Sequence, residues 1–98
     1  MKFEIAWSQR ARDNLHDFVK REQQQIVDAV HSNLEHHPNR ETRNRKVLEP
    51  NDLATWELRI GDIRVFFDIN LSEAIVELVA IGRKTHNVLR IGGEEIKP

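Results

Sequence analysis

Three stretches of alternating apolar and polar residues lie between residues 54 and 81, and they constrain the fold of this chain more than any other feature. They run from Ala54 to Ile60, from Ile63 to Asn70 and from Ala74 to Ile81, and the short sequences GD and NLSE join them. Connections of this length join antiparallel neighbours. Because successive side chains of a strand point to opposite faces, the spacing predicts a sheet with one apolar face, formed by Trp56, Leu58, Ile60, Ile63, Val65, Phe67, Ile69, Ala74, Val76, Leu78 and Ala80.

An apolar sheet face needs a cover, and the N-terminal part of the chain supplies it. Phe3, Ile5 and Trp7 alternate with other residues, which predicts a first strand. Ser8 is a suitable helix cap, and apolar residues then recur at helical spacing to about residue 36, where Pro38 stops the pattern. The polar run KREQQQ shifts the apolar stripe, so we expect a helical hairpin or one kinked helix whose apolar side contains Ala11, Leu15, Phe18, Ile26, Val27, Val30 and Leu34.

These elements predict a single α+β domain over residues 1–98. The N-terminal strand and the helical hairpin should pack on one face of a mainly antiparallel sheet of four strands. The segment from Pro38 to Asn51 is polar, mostly basic and without periodicity, so we expect a loop there. The tail GRKTHNVLRIGGEEIKP should dock in part on the sheet through Val88, Leu89 and Ile91, with Gly92-Gly93 ending that element.

The second face of the predicted sheet is half polar, since it carries Glu57, Arg59, Arg64, Phe66, Asp68 and Glu77. Unpaired buried charge costs several kcal/mol, so this face is either open to solvent or covered by the tail and the basic loop. Two interpretations of Arg59 and Arg64 follow. They form ordinary ion pairs with acidic neighbours across strands, or they are held by rigid strands to contact an anionic ligand.

The composition limits the classes of function. The chain has no cysteine, which excludes disulfides and thiolate chemistry, and a net charge of -1, so any nucleic-acid site must be local. No apolar run approaches the roughly 18 residues of a membrane span, and a cytoplasmic protein without membrane contact is expected. His31, His36 and His37 do not have the spacing of ligands on one helical face. No metal or other cofactor is therefore expected.

The order of predicted elements, together with the sequences WELRIGDIRVFFDI and VELVAIGRKTHNVLR, resembles the RelE/ParE superfamily of bacterial toxins from type II toxin-antitoxin modules. The most specific parts are Arg64 followed by Val65-Phe66-Phe67, and Gly82 ahead of Arg83-Lys84. The resemblance covers nearly the whole chain and implies a RelE-like fold. It also implies a toxin that is neutralised by a cognate antitoxin protein, and that acts either on messenger RNA at the ribosome or on DNA gyrase.

For an RNA-cleaving toxin, the resemblance implies a set of site residues. Metal-free cleavage requires a base, cations for the phosphate and an acid. Arg64 and Lys84 (or Arg83) match phosphate-contacting positions, and His86 is a candidate acid or base because the ordinary pKa of histidine is about 6.5. The predicted catalytic residues are Arg64, Lys84, His86, Arg90 and Glu57, and the predicted RNA-binding residues are Arg43, Arg45, Lys46, Arg59 and Arg83.

The chain departs from the RNA-cleaving pattern in two places. RelE-type enzymes have a tyrosine near the C-terminus, where this chain has Arg90, and lysines where this chain has Thr55 and Glu57; the sequence contains no tyrosine at all. Glu57 either serves as a base or pairs with Arg59. Three hypotheses remain at this point. The chain is a metal-independent, ribosome-dependent mRNA endoribonuclease, a ParE-like inhibitor of gyrase, or an inactive domain that only binds its antitoxin.

Overall fold

The structure is a computed structural model that describes residues 1–97, which form two helices and a sheet of seven strands. The elements are β1 (Glu4–Trp7), α1 (Gln9–His16), α2 (Lys20–Leu34), β2 (Arg45–Val47), β3 (Trp56–Ile60), β4 (Ile63–Asn70), β5 (Ile75–Thr85), β6 (Val88–Ile91) and β7 (Glu94–Ile96). The α+β class is confirmed, as is the helical hairpin in place of a kinked helix. Neither helix in this part of the chain is long and apolar enough to cross a lipid bilayer.

Strand β5 is the centre of the sheet. One of its edges pairs with β4 along most of its length, and β4 continues the sheet through β3 to β2. The other edge is divided between two partners. Its first half pairs in parallel with β1, and its last residues pair in antiparallel fashion with β6, which is followed by β7. The two ends of the chain therefore meet on a single strand.

The sheet has more strands than the four predicted, and two turns explain most of the difference. His86 and Asn87 have φ of 51° and 65°, and Gly92 and Gly93 have φ of 60° and 79°. Two successive residues in this left-handed region form the tight turn that suits the twist of a β-hairpin. The pair Gly92-Gly93, predicted to end an element, thus connects β6 to β7. The remaining extra strand is β2, which lies within the predicted loop.

A bulge in β5 changes which residues face the helices. Phe66 pairs with Ala80 and Phe67 pairs with Leu78, so Val79 is an extra residue in the ladder. Beyond the bulge, Ile81 joins the helix-side core and Ala80 points to the opposite face. The prediction that Ala80 belongs to the helix-side face is therefore wrong.

Two side chains of the N-terminal segment form hydrogen bonds with backbone groups at this bulge. Ser8 Oγ accepts a hydrogen bond from the amide of Ala11 at 3.0 Å, which confirms its role as helix cap, and donates one to the carbonyl of Val79 at 2.9 Å. Asn14 Oδ1 accepts a hydrogen bond from the amide of Ile81 at 3.0 Å. Helix α1 therefore compensates for the hydrogen bonds that the bulge removes from the ladder.

Both faces of the sheet are covered, although to different extents. The main core lies between the helices and the sheet and contains Ile26, Val30 and Leu34 of α2. A smaller second cluster lies on the opposite face around Phe66, where Leu89 and Ile91 of β6 pack with residues of the segment 48–54. The tail and the segment after β2 thus shield part of the half-polar face, which is one of the two alternatives left open by the sequence.

Candidate functional site

Five of the charged side chains on the face of the sheet that is turned away from the helices lie at neighbouring positions of β2 to β5. The pairs Lys46–Glu57, Arg59–Arg64 and Arg64–Gly82 are directly opposed across strands, and Lys84 follows Gly82 by two residues. Paired residues lie on one face, as do residues i and i+2 of a strand. We refer to Lys46, Glu57, Arg59, Arg64 and Lys84 as the polar face.

The carboxylate of Glu57 is the centre of the polar face. Its side chain is only 8% exposed, and its Oε2 accepts a hydrogen bond from Arg59 Nε at 2.7 Å. Arg64 Nε lies 3.8 Å from Oε1. Two cations thus neutralise a carboxylate that would be costly to bury alone. Their arrangement matches the ordinary ion pairs that the sequence suggested.

Arg64 is held by its own hairpin. Its side chain is 14% exposed, and Nη1 donates hydrogen bonds to the carbonyls of Gly61 at 2.7 Å and Ile63 at 3.1 Å. Its Nε has no hydrogen-bond partner within residues 1–97. The Arg64 side chain is therefore mostly buried and hydrogen-bonded within the protein, so only a small part of its surface can contact a ligand.

The other face of β5 and β6 carries two further arginines. Arg83 donates to Glu22 of α2 at 2.6 Å and to both oxygens of Asp62 at 2.9 and 3.0 Å, and its guanidinium lies over the ring of Phe18 at 5.4 Å. The hydrogen bond with Glu22, followed by that with Asp62, raises the pKa of Arg83. Arg90 is paired with Arg83 across strands and therefore shares its face.

A cavity of about 470 Å³ lies beside these arginines, between the end of α1 and the turns of the C-terminal strands. We call it the helix-side cavity. Phe18 gives it an apolar wall, Ile81 contributes to the lining although it is fully buried, and the glycines of the β6–β7 turn border it. The complete lining consists of Asn14, Asp17, Phe18, Ile81, Gly82, Arg83, Arg90, Gly92 and Gly93.

The family description that matches this chain is the ParE toxin of the type II toxin-antitoxin system parDE, and it covers residues 5–88. The chain belongs to the ParE toxin family. It is thus a toxin of a type II toxin-antitoxin module, as the resemblance to the RelE/ParE superfamily implied.

A solved structure supports the fold of this ParE-family toxin. A chain in the crystal structure of the toxin-antitoxin complex RelBE2 from Mycobacterium tuberculosis superposes with a TM-score of 0.75. The two chains are 20% identical, and the match covers 86% of this chain and 93% of that one. A search of curated proteins found no match. The RelE-like architecture is therefore established by structure, since sequence identity at this level carries the fold alone.

In this ParE-family toxin, the predicted catalytic residues do not form one cluster. Glu57, Arg64 and Lys84 lie on the polar face, whereas Arg90 lies on the helix side of the sheet. His86 is exposed in the turn that joins β5 and β6, and its side chain has no hydrogen-bond partner among the described residues. The groups that would have to act as cation, base and acid are therefore divided between two faces and a turn.

The predicted RNA-binding residues are divided as well. Lys46 and Arg59 belong to the polar face, Arg43 is exposed, and Arg83 is turned towards the helices. Arg45 is buried at 8% exposure, and its Nη1 donates to the carbonyls of Asn33 at 2.7 Å and His37 at 2.9 Å. Burial, followed by the charge of Arg40, lowers the pKa of Arg45. This arginine binds the end of α2 and is not available to a phosphate.

The sequence interpretation missed Asn14. It is 6% exposed, its Oδ1 binds the bulge, and it lines the helix-side cavity. The signal was present, because Asn14 follows Ala11 by three residues and so lies on the apolar side of α1. A buried polar side chain in an apolar stripe usually forms a hydrogen bond inside the protein. Within residues 1–97, no three His, Asp or Glu side chains are grouped to hold a metal ion.

Proposed function

We propose that this ParE-family toxin stops growth by binding DNA gyrase and not by cutting RNA. The observation that carries the proposal is the separation of the predicted catalytic groups, with Arg64 bound to its own hairpin and Arg90 on the opposite face. The match of residues 5–88 to the ParE toxin description adds support only through the resemblance, which implies gyrase as the target of ParE-like toxins.

The chemistry of the polar face favours binding over proton transfer. Glu57 is hydrogen-bonded to Arg59 and largely buried, so among these five side chains the ends that reach solvent are cationic. Asp68 and Glu77 lie further along the same sheet face. Lysine and arginine ordinarily stay protonated at neutral pH, and neither is suited to act as general base without a strong perturbation. A cationic surface held by rigid strands is suited to recognise an acidic patch on a target protein.

A paired assay tests the proposal. Purified toxin should inhibit DNA supercoiling by gyrase and leave mRNA intact in a translating ribosome system. Lys84→Glu should weaken the inhibition about tenfold or more, because it reverses an exposed charge on the polar face. Arg21→Gln, an exposed change on α2, is the matched control and should inhibit as the wild type does. Unaffected supercoiling together with cleaved mRNA would overturn the proposal.

One observation favours metal-independent, ribosome-dependent mRNA cleavage as a second candidate. Glu57 shares its face with Lys46, Arg59, Arg64 and Lys84, so a carboxylate and several cations lie on one surface. On this mechanism Glu57 removes the proton of the ribose 2′-hydroxyl, whose oxygen bonds to the neighbouring phosphorus. The bond from phosphorus to the 5′-oxygen breaks, and that oxygen leaves with a proton taken from a protonated side chain or from water. Glu57→Gln would then abolish cleavage and retain binding to ribosomes. Inhibition of neither gyrase nor translation would leave the third hypothesis, a domain that only binds its antitoxin.

We further propose that a cognate antitoxin protein neutralises this toxin in the cytoplasm. The structural neighbour was solved as a toxin-antitoxin complex, and the type II module to which this chain belongs supports such a partner. Expression of the toxin alone should arrest growth, and co-expression of a small protein encoded beside it should restore growth. Failure of every adjacent reading frame to restore growth would contradict this proposal.

A further inference from the structure

We propose that the helix-side cavity binds a carboxylate group, supplied by an acidic side chain of a polypeptide partner, with Asn14 and Arg90 as the donors. The proposal holds whether the toxin acts on gyrase or on RNA. It depends on groups that take no part in the polar face.

The first support is the fixed orientation of the Asn14 amide. Its Oδ1 accepts a hydrogen bond from the amide of Ile81 at 3.0 Å, which only the oxygen can do. The Nδ2 group is therefore directed away from Ile81, and a Cβ added to Gly92, across the cavity, would lie 3.6 Å from it. Nδ2 has no acceptor within residues 1–97 although the residue is only 6% exposed. Nδ2 is not among the buried side-chain atoms that lack a partner, so solvent reaches it. It is an oriented donor at the edge of the cavity that can bind a carboxylate oxygen in place of water.

The second support is the charge of Arg90. Arg83 also lines the cavity, but Glu22 and Asp62 neutralise it at 2.6 and 2.9 Å. Arg90 has no carboxylate within 4.0 Å in the part of the chain that the structure describes, although it is the cross-strand partner of Glu95. A guanidinium that lacks an anion beside an oriented amide donor is suited to a carboxylate, which accepts hydrogen bonds at both oxygens.

The surroundings favour a polypeptide over a free ion. The partly buried ring of Phe18 lines the cavity, and Val19, the residue after it, is 61% exposed, whereas Ile81 is fully buried and offers no surface to a ligand. Apolar side chains on either side of an acidic residue would bury this surface, which acetate cannot do. Asp17 also lines the cavity, and its negative charge would repel a bound carboxylate. It should reduce affinity for an anion.

The charges around the cavity give variants with opposite expected effects. Arg90→Gln should weaken binding of an acidic peptide about tenfold, because it removes the cation. Asp17→Asn should strengthen binding several-fold, because it removes the repulsion. Asn14→Asp keeps the oxygen that binds Ile81 and replaces the donor by an anion, so it should abolish binding. Arg12→Gln, an exposed change on α1, is the matched control and should have no effect.

Nuclear magnetic resonance on ¹⁵N-labelled full-length toxin provides the test. The probes are acetyl-Leu-Glu-Leu-amide, the matched peptide acetyl-Leu-Gln-Leu-amide, and sodium acetate. The Glu peptide should shift the side-chain NH₂ signals of Asn14 and the amides of Gly92 and Gly93, with an affinity at least about tenfold above that of the Gln peptide. If Asn14→Asp fails to fold, the opposed responses of Arg90→Gln and Asp17→Asn still decide the matter.

Three results would overturn the proposal. Unmoved Asn14 signals at millimolar peptide would exclude a site in the cavity. Equal affinity for the Glu and Gln peptides would exclude the carboxylate. Equal affinity for acetate and the Glu peptide would exclude the polypeptide as its source.

Discussion

Gly82 is the residue at which the backbone of the sheet is most constrained. A Cβ on this residue would lie 2.5 Å from the carbonyl oxygen of Arg90 and 2.8 Å from Cγ1 of Ile91. The first of these atoms belongs to the backbone of β6 and cannot move away without displacing the strand. The absence of a side chain on Gly82 thus allows β6 to approach β5 and to place Ile91 against Phe66 in the second cluster.

Gly82→Ala should therefore destabilise the toxin by about 2 kcal/mol, the usual cost of an extra carbon in a packed site. The measurement is the free energy of unfolding in urea. Gly61→Ala is the control, because a Cβ there meets no atom within 4 Å and only the left-handed φ of 60° opposes it. That change should cost about 1 kcal/mol. Equal costs for the two variants would show that β6 accommodates the methyl group.

The sequence predicts which face of the sheet each side chain occupies wherever the strands are regular. Alternation correctly places Glu57, Arg59 and Arg64 together, since β3 and β4 pair directly across this region. Prediction fails at Ala80, because the bulge at Val79 shifts the alternation by one residue. The hydrogen bonds that support the bulge come from Ser8 and Asn14, which are distant in sequence. No local pattern in β5 reveals them.

Helix α2 ends against an arginine from another element. The Nη1 of Arg45 donates to the carbonyls of Asn33 and His37, close to where the helix stops at Leu34. The last carbonyls of a helix have no partners within the helix and carry partial negative charge. A cation from β2 therefore ties the end of α2 to the edge of the sheet.

Arg45→Ala should lower the free energy of unfolding by about 2 to 3 kcal/mol, because it removes charged hydrogen bonds from two partly buried carbonyls at the helix end. Arg43→Ala, the matched loss of an exposed arginine in the same segment, should change it by less than about 0.5 kcal/mol. Urea denaturation of both variants provides the measurement. A small effect of Arg45→Ala would mean that water replaces the guanidinium at the helix end.

Helices and strands with long periodic sequences were predictable, and the short strands were not. Both helices and the strands β1, β3, β4 and β5 follow from apolar periodicity. Strand β2 has three residues, too few to establish a pattern, and it forms because β3 offers it a partner. Strands β6 and β7 depend on tight turns at His86-Asn87 and Gly92-Gly93. The first of these pairs contains no glycine, so its left-handed backbone was not apparent from the sequence.

The N-terminus of the molecule is attached to the end of α2 by charge. Glu35 Oε2 accepts a hydrogen bond from His31 Nδ1 at 2.8 Å and lies 3.8 Å from Lys2 Nζ. The hydrogen bond with His31 is the main cause that lowers the pKa of Glu35, and Lys2 adds to it. The carbonyl of Glu35 also accepts a hydrogen bond from the amide of Phe3 at 2.7 Å.

The lowered pKa of Glu35 predicts a pH dependence of stability. A carboxylate whose pKa is lower in the folded state stabilises the protein above its ordinary pKa, and this contribution is lost as the pH falls through the lowered value. Glu35→Gln should therefore reduce the melting temperature near pH 5.5, which lies above the ordinary pKa of a glutamate. The difference should disappear towards pH 2.

Glu73→Gln is the control for this measurement, since Glu73 is exposed and forms no ion pair within residues 1–97. It should give a melting curve like that of the wild type at each pH. A difference between Glu35→Gln and wild type that persists unchanged at pH 2 would show that the carboxylate charge is not responsible.

The position of β5 has a consequence for synthesis of the toxin. Glu4 of β1 pairs with Ile75 of β5, and the bond from Ser8 to Val79 joins residues 71 positions apart in sequence. Contacts between such distant residues form late. A ribosome must therefore translate the message through the codons of β5 before the first strand finds its neighbour. The nascent polypeptide therefore lacks the central strand of its sheet, and with it the neighbour of β1, until β5 has emerged from the ribosome.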